Sequence, residues 1–381
     1  MNEQKQSISF VLPCLNEERT LGLVLEKINF LKSNDLSDRD VEIVVSDNGS
    51  KDKSVEIAKA FGARVCHASL KGYGSALDSG IKNAVNDIII FADADNTYDF
   101  YESKTLIDKL DEGFDFVYGS RMKGSIKNGA MPLLHRYIGT PVLNSIINLL
   151  YSKNGVKISD CNSGFRCFLK EKYLKLKIKG TGMEFASEML VKVLKNELKV
   201  ADVPISLYPD IRDREPHLST WRDGMRHLLQ ILIESPEFFH NTGLFTWLIN
   251  ATIIIVSLFS NPLSIGPFSL FGVHTMMFAS FGSIFGLLIW SIGLHIYINP
   301  KKPITSYSYF IGLIEDKLFF YSVFSFLISF VMFSYILYSW YTFEFKFLQL
   351  EKQTLFLATF ASNSIVFITQ IIASHLIKKN S

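Results

Sequence analysis

Cysteine is scarce: Cys14, Cys66, Cys161 and Cys167 are the only four in 381 residues, and no two form a Cys-x-x-Cys pair. That spacing excludes a disulfide framework and a zinc ribbon, and fits reduced thiols in a cytosolic domain. Charge of one sign is lacking too. The 39 Lys and Arg nearly balance the 37 Asp and Glu, leaving a net charge of +2. Nothing in that balance points to nucleic acid or to a strongly acidic partner. Met1 to Ser7 is polar and has no apolar signal-peptide core, so the front of the chain is expected not to be exported. Formal charge disappears altogether from four stretches near the C-terminus, which account for much of the 32 Phe and the mean hydropathy of +0.20.

Against these absences stands one dense stretch, Ile88-Ile89-Ile90-Phe91-Ala92-Asp93-Ala94-Asp95-Asn96-Thr97-Tyr98-Asp99. An unbroken apolar run ending abruptly in acid reads as a buried strand of a parallel sheet. Open α/β sheets bind ligands beyond the carboxyl ends of such strands, where Asp93 and Asp95 emerge. Two carboxylates this close repel each other, and a hard divalent cation relieves that. Mg²⁺ in particular takes one or two carboxylates together with substrate phosphates. An acidic turn capping a helix is the plainer alternative.

The surrounding chain alternates strands and helices. Ile8 to Leu12 is a strand stopped by Pro13, and Leu21, Val24, Leu25, Ile28 and Leu31 make an amphipathic helix. Val41 to Val45 is a second strand ending in a polar turn. Ala63 to His67 is a third, and Lys71-Gly72-Tyr73-Gly74-Ser75 opens the next helix. Phe114 to Tyr118 and Val200 to Leu207 are further strands, and Asp160 to Phe168 is a turn into a strand. This succession predicts right-handed βαβ units over a parallel sheet. Gly72 and Gly74 suggest a close backbone approach to a phosphate or sugar, with a tight turn as the alternative. Leu133 to Tyr151, interrupted by Pro141, is a core helix or one lying on a membrane surface.

Ser219 to Phe239 has a basic side, an apolar side and Trp221, the pattern of an interfacial helix, with a surface helix of the front domain as the alternative. Residues 242–259, 275–298, 319–340 and 354–377 contain no Lys, Arg, Asp or Glu. Each approaches the ~20 residues needed to cross a bilayer core. The predicted organisation is an α/β domain over 1–210, a juxtamembrane amphipathic segment over 211–240 and a transmembrane domain over 241–381. Lys301, Lys302 and Lys317 lie between the second and third apolar stretches, and Lys378 and Lys379 follow the fourth. The connection from Asn261 to His274 has no Lys or Arg. The positive-inside rule then places the front domain on the cytoplasmic face of a multi-pass membrane protein.

Six motifs in order resemble those of family 2 glycosyltransferases of the GT-A type, and specifically the polyprenyl-phosphate (dolichyl-phosphate) hexosyltransferases. They are Val11-Leu12-Pro13 with Asn16-Glu17, Val45-Ser46-Asp47-Asn48-Gly49-Ser50 with Asp52, Lys71-Gly72-x-Gly74, Asp93-Ala94-Asp95, Gly119-Ser120-Arg121 and Ser163-Gly164-Phe165-Arg166. The resemblance implies a GT-A domain and a hexose transfer from a UDP- or GDP-sugar to a polyprenyl phosphate, with Mg²⁺ or Mn²⁺. It implies that Pro13, Asn16, Glu17 and Asp47 hold the nucleoside, with Gly72 and Gly74 beside the donor. Asp93 and Asp95 would reach the ribose and the metal-bound diphosphate, and Arg121 and Arg136 the lipid phosphate. Asp160, Arg166, Glu184, Arg214 and His217 are added as site candidates. Thr97 stands where one branch of the group often has Gln, and Asp99 where Pro is common, so the third metal ligand stays open.

Two rivals remain. A processive polysaccharide synthase would carry Gln-x-x-Arg-Trp, which is absent; Trp221-Arg222 has the reverse order. A non-catalytic membrane scaffold is the other, since fold alone never proves activity. The predicted orientation is tested by cysteine labelling in intact cells. An impermeant reagent should modify a cysteine placed at Ser264 and miss one placed at Thr305, and the reverse pattern would invert the topology.

Overall fold

β-branched runs bounded by polar turns become strands here because each can be buried between two helical layers. The computed structural model describes residues 6–153, 155–211, 220–265, 268–298, 306–342 and 350–379. It divides into two units, Met1–Glu234 and Ser235–Ser381. The first is built from β1 (Ile8–Cys14), α1 (Leu21–Ser33), β2 (Val41–Asp47), α2 (Ser54–Ala60), β3 (Arg64–His67), α3 (Tyr73–Asn83) and β4 (Ile88–Phe91). It continues through α4 (Ser103–Asp111), β5 (Phe116–Ile126), α5 (Thr140–Tyr151), β6 (Arg166–Leu169), α6 (Lys170–Leu176), α7 (Phe185–Lys195), β7 (Val200–Leu207) and α8 (Thr220–Ile233).

The seven strands lie in the order β3-β2-β1-β4-β6-β5-β7. All neighbours are parallel except β6, which runs antiparallel to both β4 and β5. This is the mostly parallel GT-A sheet that the sequence predicts. One apolar layer packs α1 and α4 on one face, with Val24, Ile28, Leu106 and Ile107 buried. The other packs α3, α5 and α7, with Leu77, Ile147, Met189 and Val193 buried.

Three local readings change. β1 does not stop at Pro13 but runs on to Cys14. β4 pairs only with Ile8 to Val11, so Pro13 sits past the end of β4 and its missing N–H breaks no ladder there. β5 does not stop at Tyr118 either. It continues to Ile126 with an irregular register between Ser120 and Ser125, so Arg121 lies within the strand rather than after it. Nor is β5 beside β4, because β6 is inserted between them. Pro141 is absorbed at the first turn of α5, preceded by a π-helical turn at His135–Gly139. A π turn accommodates the ring and the lost donor that would break a regular helix.

Residues 219–239 do not form one helix. α8 ends at Ile233, and Pro236 opens α9 (Pro236–Phe259). Ile231 of α8 is fully buried in the α/β unit, and the Tyr151 hydroxyl donates to its carbonyl. In the second unit α9 is followed by a hairpin of β8 (Leu263–Ile265) and β9 (Phe268–Leu270), then by α10 (Val273–Ile298), α11 (Ser306–Thr342) and α12 (Glu351–Lys379). All four helices are long and apolar enough to cross a membrane. Gly243 and Gly286 let α9 and α10 meet backbone to backbone, since a Cβ at Gly243 would lie 2.2 Å from the Trp290 nitrogen. Lys352 donates to the Ser257 and Ser260 carbonyls at 2.7 Å, closing the C-terminus of α9. Lys301 and Lys302, used for the orientation, lie outside the described residues.

Gly80 brings α3 close against the sheet. A Cβ at Gly80 of α3 would stand 2.4 Å from Val11 Cγ1 and 3.1 Å from Ser46 Cβ. Gly80→Val should therefore destabilise the first unit by roughly 1–3 kcal/mol through overpacking. Thermal unfolding of the purified chain, followed by far-UV circular dichroism, measures it; an unchanged midpoint would refute this packing.

Candidate active site

The carboxyl ends of β1, β2 and β4 open on one cleft of about 530 Å³. Pro13 and Cys14 end β1 in it and Leu15, Asn16 and Glu17 follow them, Asn48, Gly49 and Lys51 follow β2, and Asp93, Ala94 and Asp95 follow β4. Lys71, Gly72, Tyr73 and Ala76 form a further side, and Gly182, Met183 and Arg226 complete the lining. The order β2-β1-β4 reverses the chain direction of travel across the sheet at β1, which is where such sheets bind ligands.

The β1 and β2 loops are tied to each other. Asn16 takes a left-handed φ of 58°, its amide donates to Ser50 Oγ at 3.0 Å, and its side-chain oxygen accepts from the Lys51 amide at 2.8 Å. Glu17 is 7% exposed and accepts from the Thr20 hydroxyl at 3.0 Å. Asp47 is almost fully buried. Burial pushes its carboxyl up, but the Ser50 hydroxyl, the Ser50 and Gly49 amides and His67 outweigh that and hold it below the usual carboxylate range. Its ionised form thus stabilises the fold above the unfolded value near ~4, and that stability is lost as pH falls through the lower folded value. Asp52 accepts from the Glu18 amide at 3.0 Å and the Ser54 amide at 3.0 Å, which makes it a brace between these loops. Cys14 is not a nucleophile: burial pushes its thiol up to about 11.

Asp95 Oδ1 accepts from the Thr97 hydroxyl at 2.6 Å and the Thr97 amide at 3.0 Å. Thr97 therefore orients the carboxylate. Burial, and then the nearby Asp93 carboxylate, push the Tyr73 hydroxyl well up, so it stays protonated. No cluster of three or more His, Cys, Asp or Glu exists among the described residues. Two hard carboxylates in a cleft, without a full protein cage, fit a divalent cation whose remaining ligands come from a phosphorylated ligand.

Gly72 lines the cleft and Gly74 does not. The close approach both permit is to protein. A Cβ on Gly72, with φ at +136°, would stand 2.2 Å from the Thr181 carbonyl oxygen, and one on Gly74 2.4 Å from that of Gly180. The glycines thus press α3 against the 180–182 loop, which Glu188 fixes by accepting from the Lys179 and Gly180 amides.

Arg121 and Asp160 meet elsewhere, in a fork. Arg121 Nε and Nη2 donate to the two Asp160 oxygens at 2.8 Å, and the Arg121 amide adds a third bond at 3.0 Å. Burial disfavours the guanidinium's charge, but the fully buried Asp160 outweighs it and keeps Arg121 firmly ionised. Burial, and then the Arg121 charge, lower the His135 imidazole below its usual range, so it is neutral at pH 7. Arg136 follows in the π turn with its guanidinium 5.4 Å from the Tyr137 ring centroid. Arg166 is buried and donates to the Ser163, Ala186 and Cys161 carbonyls, a scaffold role. Glu184 accepts from the Gly182 amide at 2.9 Å beside the cleft. Arg214 and His217 lie outside the described residues.

Lys51, Lys71, Tyr73 and Arg226 were not singled out from sequence as site residues. Lys71 carried a signal as the first residue of the Lys71-Gly72-x-Gly74 motif, and Arg226 by its place four residues after Arg222 on the basic side of an amphipathic run.

The model of the family described as glycosyl transferase family 2 matches residues 9–174. A low-salt glycan biosynthesis hexosyltransferase of Haloferax volcanii is 35% identical over 272 residues, 71% of this chain and 63% of that protein. The chain thus spans less than two thirds of that relative's length. An uncharacterized protein of Methanocaldococcus jannaschii is 38% identical over 53% of this chain and 81% of its own length. A dolichyl-phosphate hexose transferase of Haloferax volcanii is 28% identical over 52% of this chain and 81% of its own length.

Asp160→Asn leaves the largely buried Arg121 without its counter-charge, and should cost up to about 3–5 kcal/mol. Replacing both, as Asp160→Asn with Arg121→Met, should recover part of that loss in chemical denaturation. Equal stability of wild type and Asp160→Asn would show that the pair does not form.

Proposed function

This chain belongs to glycosyl transferase family 2, and we propose that it transfers a hexose from a UDP- or GDP-sugar to a polyprenyl phosphate, with Mg²⁺ or Mn²⁺. The observation that carries the reading is the Asp93–Asp95 pair at the end of β4, opening on the same cleft as Pro13 to Glu17 and Asn48. In the reading, the nucleoside lies along Pro13, Asn16 and Glu17, with Asp47 bracing the Gly49–Ser50 turn. Asp95, oriented by Thr97, and Asp93 would hold the cation. When bound, the cation supplies positive charge to the departing diphosphate.

The acceptor is assigned on three supports. Relatives include a dolichyl-phosphate hexose transferase. Four helices are long and apolar enough to cross a membrane. The α5 segment leaves Leu133, Tyr137, Ile138, Val142 and Leu149 exposed, an apolar face suited to a lipid surface. Arg136 starts that face and Arg121 lies near it, so the lipid phosphate is assigned to these two. Asp160 occupies two of Arg121's donors and fixes its plane, leaving Nη1 for the phosphate. A phosphate monoester loses its second proton near pH ~6, so it attacks at neutral pH without a general base. Its oxygen displaces the nucleoside diphosphate in one step, which inverts the anomeric centre. Positioning and charge stabilisation then supply the catalysis. The catalytic unit is assigned to the cytoplasmic face, where nucleotide sugars are made.

The test is a donor panel with purified full-length protein and undecaprenyl phosphate, scored by the nucleoside diphosphate released and by the glycolipid formed. Asp95→Ala should lower turnover at least 100-fold with little change in melting temperature, and chelation should silence the wild type until Mg²⁺ or Mn²⁺ is restored. Turnover of a donor without lipid-linked product would overturn the acceptor, and near-normal turnover of Asp95→Ala under chelation would overturn the metal role.

A further inference from the structure

The cleft has a wall that the reading above does not use. It is made by Lys71, by Gly182 and Met183 ahead of α7, and by Arg226 of α8. α8 is held in place from several sides. His227, next to Arg226 and only 6% exposed, meets Ser187 Oγ through Nδ1 at 3.0 Å. Tyr151 bonds the Ile231 carbonyl, and Lys195 bonds both the carbonyl and the carboxylate of Glu234 at 2.8 and 2.9 Å. These contacts fix the helix on α5 and α7 and leave Arg226 exposed in the cleft.

Charge balance says what such a cation is for. A divalent cation on Asp93 and Asp95 is already neutralised by the two carboxylates. The diphosphate of a nucleotide sugar adds about two negative charges of its own, which the protein has to meet. Lys71, flanked by Leu70 and Gly72 that both hydrogen-bond the Asn48 side chain, and Arg226 of α8 are cations in the lining of the cleft. Arg suits the task because its planar fork takes two phosphate oxygens at once, whereas Lys offers a point charge.

We propose that Arg226 binds the sugar-bearing phosphate of the donor, and of the departing nucleoside diphosphate, with Lys71 beside it. The helix just ahead of the apolar unit thereby contributes to the donor site. This rests on the nucleotide-sugar reading of the cleft, and the experiment separates the two. Full-length protein in detergent, with Mg²⁺, is titrated by calorimetry with UDP, UMP, GDP and GMP. The wild type should bind one diphosphate more tightly than its monophosphate. Arg226→Ala should weaken that diphosphate about tenfold or more while leaving the monophosphate within about twofold. Arg226→Lys should fall between, and circular dichroism of both variants should show the wild-type fold. Diphosphate affinity retained in Arg226→Ala, or an equal loss for monophosphate and diphosphate, would overturn the role of Arg226 alone. Failure of the wild type to bind any of the four nucleotides would overturn the nucleotide-sugar reading, and this inference with it.

Discussion

Arg166 is the residue on which both halves of the catalytic unit lean. Its guanidinium is 1% exposed and lies between the Phe91 and Phe116 rings, 6.0 and 5.9 Å from their centroids. A buried charge is costly unless its donors are matched. Here three carbonyls match them, those of Cys161, Ser163 and Ala186. Two of those carbonyls shape the loop that carries Asp160, and the third sets the start of α7, just after Gly182 and Met183. The same loop puts Gly164 against Asp93, where a Cβ would come within 2.9 Å of the carboxylate, and the Tyr98 hydroxyl accepts from the Gly164 amide at 2.9 Å. One buried cation thus registers the arginine fork and the acidic strand end against each other.

The acids of the site are held in two different ways, and the difference sorts their roles. Asp160 is fully buried and matched by a guanidinium, so its charge is consumed in holding Arg121 still. Asp95 accepts from the neutral Thr97, and Asp93 lies with it in the lining of the cleft. The first arrangement makes a rigid part and the second a binding face. Asp47 and Asp52 belong with the rigid parts, since amides and hydroxyls of the neighbouring turns fill their oxygens.

Fold and chemistry were legible where local pattern decides them. The run Ile88 to Phe91 is apolar on both faces because helices cover both sides of β4, and an acid immediately after such a run has to stand at its mouth. Residue spacing could not show that β6 would run antiparallel between β4 and β5, or that Asp160 would hold Arg121 within β5. Nor could it tell which partner a glycine admits. Gly72 and Gly74 admit the backbone of a loop more than a hundred residues later, and Gly72 also lines the cleft.

The sequence by itself determined the alternation of strands and helices, the family motifs, the four uncharged stretches and the acidic pair. These depend on residues close in the chain, where periodicity and charge act directly. Tertiary structure decided which of those residues share a cleft and which serve as braces. The fork of Arg121 closes on Asp160, 39 residues away, and Arg226 lines a cleft with Lys71 and Asp95, each more than a hundred residues earlier. Such neighbours are set by how helices dock on a sheet, through buried contacts such as His227 with Ser187 and Tyr151 with Ile231. The free energy of those contacts belongs to packing between distant segments, and no local window of sequence contains it.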